Sequence, residues 1–181
     1  MASLQDRMIG AAMLNVSTYE EVEADQSALG QAMTVVIISS LAAGIGSIRS
    51  GGVTGLVLTT VLALVGWFIW AGLSFIIGTK LLPEPQTRSD MGELLRTIGF
   101  ASSPGVLRIF GFIPILGGLI SFVASLWMLA ATVIAVRQAL DYQSTGRAVA
   151  VCVIGFLVYM MVAVVLGGMI AGVSILGGAV G

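Results

Sequence analysis

The chain contains no histidine and only one cysteine, Cys152, among its 181 residues. Histidine is the usual axial ligand of haem, a common zinc ligand and the commonest general base, so each of these sites loses its usual residue. One cysteine cannot form an internal disulfide or a multi-cysteine metal site, and Cys152 lies in an apolar run where a buried, inert thiol is expected. No phosphate loop, dinucleotide fingerprint, zinc motif or nucleophile elbow is present. We therefore expect no catalytic residue, no cofactor and no metal.

Charged residues are also scarce, at 9% of the chain, whereas 57% of the residues are hydrophobic. A soluble domain carries roughly 25% charged residues. So few charges cannot cover a water-facing surface, and the mean hydropathy of +1.06 agrees with this reading. The composition predicts an integral membrane protein. The chain has no polybasic patch, so we expect no nucleic-acid partner.

Four long runs carry no charged residue at all. They are residues 26–48, 50–79, 109–136 and 148–181. Each exceeds the roughly 20 residues that a helix needs to cross the hydrocarbon core of a bilayer. The sequence therefore predicts four membrane-spanning helices, before any decision about the segment between the second and third runs.

The first 30 residues carry one basic residue, Arg7, and five acidic ones. Ser17 and Glu20 fit a capping box, which predicts that the first long helix begins near residue 18 and continues into the membrane. Four of the acids follow directly: Glu20, Glu21, Glu23 and Asp25. They either stabilise the positive end of the helix dipole or form a contact for a polar partner. Residues 1–16 are weakly amphipathic, which suits a short interfacial helix, with a frayed terminus as the alternative.

The segment before the third run decides the topology. It is apolar, yet it contains Pro104, Pro114 and Arg108. If residues 91–112 cross the membrane, six of the eight basic residues lie on the cytoplasmic side; without that crossing the division is five to three. The positive-inside rule thus favours five spans, with the N-terminus in the cytoplasm and the C-terminus outside. A re-entrant hairpin is the alternative.

Two arginines flank this candidate third span. Arg96 and Arg108 would lie about 18 Å apart along a helix, and both are predicted to be interfacial anchors whose side chains extend outward in opposite directions. Pro104, with Gly99 nearby, is predicted to kink the span. Ser102 and Ser103 could satisfy the backbone groups that the proline frees. Ser89 or Asp90 could cap its start.

These observations predict an all-α, polytopic transmembrane helical bundle of five spans. Residues 1–16 form the interfacial helix, and residues 17–181 form one membrane domain. The predicted spans are about 26–48, 53–79, 93–111, 113–138 and 147–173.

The third span also carries a resemblance. Residues 99–104 read Gly-Phe-Ala-Ser-Ser-Pro, and this stretch resembles the Gly-Tyr-Ser-x-x-Pro pattern of the Yip domain family, named for proteins that interact with Ypt/Rab GTPases. The resemblance covers roughly residues 10–175. It implies five helices, a cytoplasmic N-terminus and, for eukaryotic members, a role in vesicle traffic. The Asp-Leu-Tyr-Gly-Pro motif of those members is absent, which argues against GTPase binding. The chain looks more like the bacterial branch, which implies the bacterial inner (plasma) membrane.

Small residues suggest how the protein acts. Gly168 and Gly172 form a Gly-x-x-x-Gly motif that allows close approach of a second helix. With the acids at 20, 21, 23 and 25, these glycines are the candidate partner contacts. We predict a non-enzymatic structural organiser or accessory subunit that binds other membrane subunits or itself. The alternatives are a small transporter or channel that uses the broken third span, and a trafficking adaptor like eukaryotic Yip proteins.

Overall fold

The structure is a computed structural model that describes residues 2–46 and 48–178; side chains are described except for residues 48–51, 163 and 165–178. The described chain is helical and contains no strand. Its seven α-helices are α1 (Leu4–Ala12), α2 (Val16–Ala24), α3 (Leu29–Gly46), α4 (Ile48–Ile76), α5 (Met91–Ala101), α6 (Leu116–Ala139) and α7 (Thr145–Gly178). Two 3₁₀ segments, Gln26–Ala28 and Ser103–Phe112, and a π-helical turn, Ile77–Leu81, connect them.

Four helical stretches are long and apolar enough to cross a membrane. They are Gln26–Gly46, Gly52–Leu81, Leu116–Ala139 and Thr145–Val162. The second begins at Gly52, where φ 58° and ψ −166° interrupt α4 and turn the chain. The predicted all-α class and the multi-pass membrane character are confirmed.

The N-terminal region differs from the prediction of one helix that begins near residue 18. The Asn15 side chain, not that of Ser17, accepts the capping hydrogen bond of α2, from the Ser17 amide. The helix then stops at Asp25, whose carboxylate accepts from the Ser27 amide at 2.9 Å and starts a 3₁₀ turn. An aspartate that caps the following turn competes with helix continuation, so the acidic stretch ends one helix and begins another.

Helices α1 and α2 form a hairpin packed against the bundle. Tyr19 is fully buried and its hydroxyl donates to the Ala11 carbonyl at 3.0 Å, which ties α2 to α1. The Trp127 indole in α6 donates to the Ala12 carbonyl at 2.7 Å, which ties the end of α1 to the bundle. The hairpin is thus a packed part of the fold.

The bundle has two chemically distinct ends. At the capped end, defined as residues 2–28, 82–90 and 138–144, polar side chains join the three segments: Gln138 donates to Glu20, and Gln86 donates to the Asp141 carbonyl. At the open end, defined as residues 44–46 and 108–118, glycines bring backbones together. A Cβ on Gly117 would collide with the Gly111 carbonyl oxygen.

The third segment, defined as residues 91–112, runs between these ends alongside α3. A Cβ placed on Gly99 would lie 2.8 Å from the Ala32 Cβ, and one placed on Gly46 would lie 3.2 Å from the Gly111 Cα. As the segment advances from Gly99 to Gly111, its neighbour on α3 therefore advances from Ala32 to Gly46. The segment is parallel to α3 and covers most of its length.

A change of helix type occurs within this segment. The predicted cap is confirmed at Asp90, which forms a capping box with Glu93, but the α-helix ends at Ala101. The chain continues as ten residues of 3₁₀ helix with Pro104 near its start. The Ser103 hydroxyl donates to the Phe100 carbonyl at 2.6 Å, which satisfies the acceptor that a proline at position 104 leaves free. Because a 3₁₀ helix rises about 2.0 Å per residue, the helical residues from 91 to 112 extend about 36 Å if collinear.

Candidate functional site

Arg7 organises the acidic segment of the capped end. It is 2% exposed, and its guanidinium contacts the Glu21 carboxylate at 2.9 Å and the Asp25 carboxylate at 2.6 Å. A third partner is the Gln31 side chain, which accepts a hydrogen bond at 2.9 Å. These two carboxylates hold the pKa of Arg7 above its usual value despite the opposing effect of burial. Two of the candidate partner-contact acids are thus engaged inside the chain.

Arg96 joins α5 to the end of α2. It is 5% exposed, and its Nε donates to the Val22 carbonyl at 3.0 Å and to the Glu23 carbonyl at 3.1 Å. These acceptors lie in the last turn of α2, where carbonyls lack helical partners and a cation is favourable. The predicted role as an interfacial anchor stays a prediction; the structure places this guanidinium beneath α2.

Glu23 lies in a cavity of about 270 Å³ at the same end. The other lining residues come from α2, the end of α6 and the loop after it: Glu20, Arg137, Gln138, Asp141, Tyr142 and Gln143. Burial first, and then repulsion from Glu93 and Asp141, raises the pKa of Glu23 to about 7. This carboxyl group therefore titrates near neutral pH.

Glu84 links the two loops of the capped end. Its carboxylate accepts from the Gln143 amide at 3.0 Å and from the Ser144 amide at 3.4 Å, at the start of α7. The hydrogen bond from the Gln143 amide contributes most to lowering the pKa of Glu84. The Tyr142 hydroxyl, 2.8 Å from the Leu82 carbonyl, donates into the neighbouring turn. The loops are therefore held by specific contacts.

A cavity of about 280 Å³, mostly apolar but with several polar side chains, lies between α3, α4, α6 and the third segment. Hydroxyl groups and one cation give it its polarity: Ser39, Ser40, Thr59, Ser102, Thr132 and Arg108. A second cavity, of about 380 Å³, adjoins it toward the open end and shares Arg108 and Ala43 with it. Arg108 thus stands between the two spaces.

The Arg108 side chain extends away from the open end. Its backbone lies against Gly46, but its guanidinium donates to the Ser125 hydroxyl at 2.8 Å. Ser125 is nine residues into α6, or about 13 Å from its start. The assignment as an interfacial anchor stays a prediction, and the structure adds that the charge points back along the bundle.

Sequence reasoning did not identify these arrangements. Arg7 received no role, because its partners at 21, 25 and 31 meet it only after the chain turns at residues 13–15 and 25–28. Gly168 and Gly172 lie outside the residues whose side chains the structure describes. Among those that it does describe, no group of three or more histidine, cysteine, aspartate or glutamate residues could hold a metal ion.

Comparison with known proteins identifies a family for this chain. Residues 14–179 match the family model described as the Yip1 domain. No curated protein matches the chain, and no solved structure matches it.

Proposed function

Because the chain belongs to the Yip1 domain family, we propose that it is a non-enzymatic structural organiser or accessory subunit that acts through helix–helix contacts in a membrane. Members of this family are generally non-enzymatic membrane proteins. The observation that carries the proposal is the uneven burial of the membrane helices. The proposal has two parts, a topology and a mode of action.

The topology is five crossings, with the N-terminus in the cytoplasm of a bacterial cell. The parallel course of the third segment and α3 supports it, since a segment that follows a membrane helix from end to end must cross with it. An extended length of about 36 Å exceeds a ~30 Å hydrocarbon core. Six basic residues then fall at or near the capped end, which the positive-inside rule places in the cytoplasm.

Cysteine labelling tests this topology. Ile115 is 96% exposed at the open end, and Pro85 is exposed at the capped end. Each is replaced by cysteine in a Cys152→Ala background, and an impermeant maleimide is applied to intact cells and to inverted vesicles. We expect Ile115→Cys to react only in cells and Pro85→Cys only in inverted vesicles. Labelling of both from the same side would exclude the fifth crossing.

The mode of action rests on the outer helices. Within the chain, 44% of the Gln26–Gly46 window is buried, but only 28% of the Gly52–Leu81 window. The windows in Leu116–Ala139 and Thr145–Val162 are each 22% buried. Gly55 and Gly118 also have no atom within 4 Å of an added Cβ, so a second helix could approach closely there. These faces favour packing against other membrane subunits or a second copy of the chain.

Co-purification tests the mode of action. The protein is expressed at native level, extracted in mild detergent and analysed by mass spectrometry of whatever co-migrates with it. We expect a stoichiometric membrane partner or a stable homo-oligomer. A Gly118→Leu variant should release it, whereas Gly146→Leu, in a loop-facing first turn of α7, should retain it. A monomer with no partner would refute the proposal.

A second candidate function is a small transporter or channel, which the two adjoining cavities at Arg108 favour. Discontinuous helices, of which this third segment is an example, commonly form the substrate sites of transporters. Purified protein in liposomes should then move an anionic solute faster than liposomes with an Arg108→Gln variant. Equal rates would exclude this candidate.

A further inference from the structure

The described residues offer the Arg108 guanidinium few hydrogen-bond partners. Within the described residues it donates one side-chain hydrogen bond, to Ser125. Among the side chains that the structure describes, those that line the two cavities include no aspartate and no glutamate. Arg7, by comparison, contacts two carboxylates, and Arg96 contacts two backbone carbonyls.

This difference matters because Arg108 lies in the part of the chain that runs through the bundle. A cation in surroundings of low polarity is costly unless it is paired. Guanidinium has five N–H donors, and their planar arrangement suits the two oxygens of a phosphate. Within the described residues, one of those donors goes to the Ser125 hydroxyl, and Arg108 lines both cavities.

Two further donors face the first cavity. Ser39 and Ser102 line it, and neither hydroxyl forms a hydrogen bond with any described residue. Ser39 is only 4% exposed. The other hydroxyls differ, since Ser40, Thr59 and Thr132 each donate to a carbonyl of their own helix. Ser39 and Ser102 can therefore donate to an oxygen atom of a bound ligand.

The 3₁₀ geometry of Ser103–Phe112 places Ser102 and Arg108 on the same face of the third segment. In a 3₁₀ helix, residues three apart lie above one another, so Ser102, Gly105 and Arg108 share a face. A Cβ on Gly105 would collide with the Ser39 hydroxyl and would lie 2.9 Å from the Met128 sulfur. Glycine at this position lets the face approach α3 and keeps the cavity open beside the serine.

We propose that the two cavities bind a phosphate group of net negative charge, held by the Arg108 guanidinium with the hydroxyls of Ser39 and Ser102. Their volumes of about 280 and 380 Å³ suit a headgroup or a small ion rather than a whole lipid. An anionic phospholipid headgroup and a free phosphate ion share this chemistry. The proposal does not depend on the mode of action given above.

Thermal unfolding of the purified, delipidated full-length chain in neutral detergent tests the proposal. Phosphatidylglycerol, phosphatidylcholine and inorganic phosphate are titrated separately, and native mass spectrometry counts bound lipid. We expect phosphatidylglycerol to raise the Tm and phosphatidylcholine not to. A response to phosphatidylglycerol alone identifies a lipid headgroup site, and a response to inorganic phosphate as well identifies a site that accepts the free ion.

Matched variants assign the effect to the cavity. Arg108→Gln should weaken binding about tenfold or more, as expected for loss of a charge-assisted hydrogen-bonding group. Arg88→Gln removes the same charge from an exposed loop position and should leave binding unchanged. Ser39→Ala, which keeps the charge of Arg108, should weaken binding severalfold. It replaces Arg108→Gln as the test variant if Arg108→Gln does not fold. A wild-type chain that responds to neither anion, or an equal loss in Arg88→Gln, would overturn the proposal.

Discussion

The third segment has an arginine near each end, and the two arginines differ in their surroundings. At the capped end, Arg96 is 5% exposed and its guanidinium lies on the carbonyls that close α2. Toward the open end, Arg108 lies between two cavities and donates to one serine hydroxyl. Arg96 thus connects two packed helices, whereas Arg108, twelve residues later, lines two cavities.

The difference follows from the neighbours that the chain supplies. The capped end receives the α1–α2 hairpin, whose last turn ends in free carbonyls and whose acids lie beside Arg7. The open end receives glycines, which bring backbones close but offer no side-chain acceptor. A cation of low exposure is costly unless it is paired. The chain supplies the partners of Arg7 and Arg96, and we infer that a ligand supplies those of Arg108.

The largest expected effect is at Arg96. Replacing it by methionine keeps an unbranched apolar stem but leaves the Val22 and Glu23 carbonyls without their donor. Burying unpaired polar groups costs about 1–3 kcal/mol each. We expect Arg96→Met to lower the Tm in mild detergent by several degrees and to release the α1–α2 hairpin, so that trypsin cleaves after Arg7.

The control for this prediction is Arg88→Met, which removes a charge from an exposed position. It should change neither the Tm nor the trypsin pattern. If Arg7 stayed protected in Arg96→Met, the joint between α5 and α2 would not depend on this guanidinium, and the contrast with Arg108 would fail.

The next effect concerns the glycines of the open end. A Cβ on Gly46 would collide with the Arg108 carbonyl oxygen, whereas a Cβ on Gly55 meets nothing within 4 Å. We expect Gly46→Ala to destabilise the protein by about 1–3 kcal/mol, because overpacking forces two backbones apart. Gly55→Ala should be neutral or slightly stabilising. Unfolding by a denaturing detergent, measured for both variants, gives the comparison; equal stabilities would show that the open end is not closely packed.

Much of the architecture could be predicted from the sequence, because a bilayer imposes strict rules on composition and length. Uncharged runs locate four membrane helices, and of the two predicted caps, Ser89 and Asp90, the structure uses Asp90 at the start of α5. The sequence next to Pro104 also predicted that a neighbouring serine satisfies the carbonyl that the proline frees, and Ser103 donates to the Phe100 carbonyl. Each of these depends on residues close together in the chain.

The arrangements that were missed depend on residues far apart. An acidic stretch can lie at the start of one helix or between two helices. The residues around Asp25 therefore do not reveal from the sequence that α2 ends there. Arg7 acquires its partners 14, 18 and 24 residues away only when the hairpin folds back. The cavities exist only because α3, α4, α6 and the 3₁₀ segment meet around Arg108.

The smallest expected effect is a pH dependence at Glu23. Its neighbours in the fold are the acids Glu20, Glu93 and Asp141 and the cations Arg96 and Arg137. Burial and the acids raise its pKa from 4.5 to about 7, so the folded state favours the protonated form. That contribution to stability is complete below the unfolded pKa of about 4.5 and is lost as the pH rises through 7.

Glu23→Gln should therefore flatten the decline of Tm between pH 5 and 8. The variant and the wild type should agree near pH 4.5, and the variant should be more stable at pH 8 by on the order of 2 °C. Glu20→Gln, which removes an exposed carboxylate one turn away, should leave the inflection near pH 7 in place. If Glu23→Gln left the dependence of Tm on pH unchanged, water would reach this carboxyl group freely. The capped end would then be less closely packed than the buried side chains of Arg7 and Arg96 indicate.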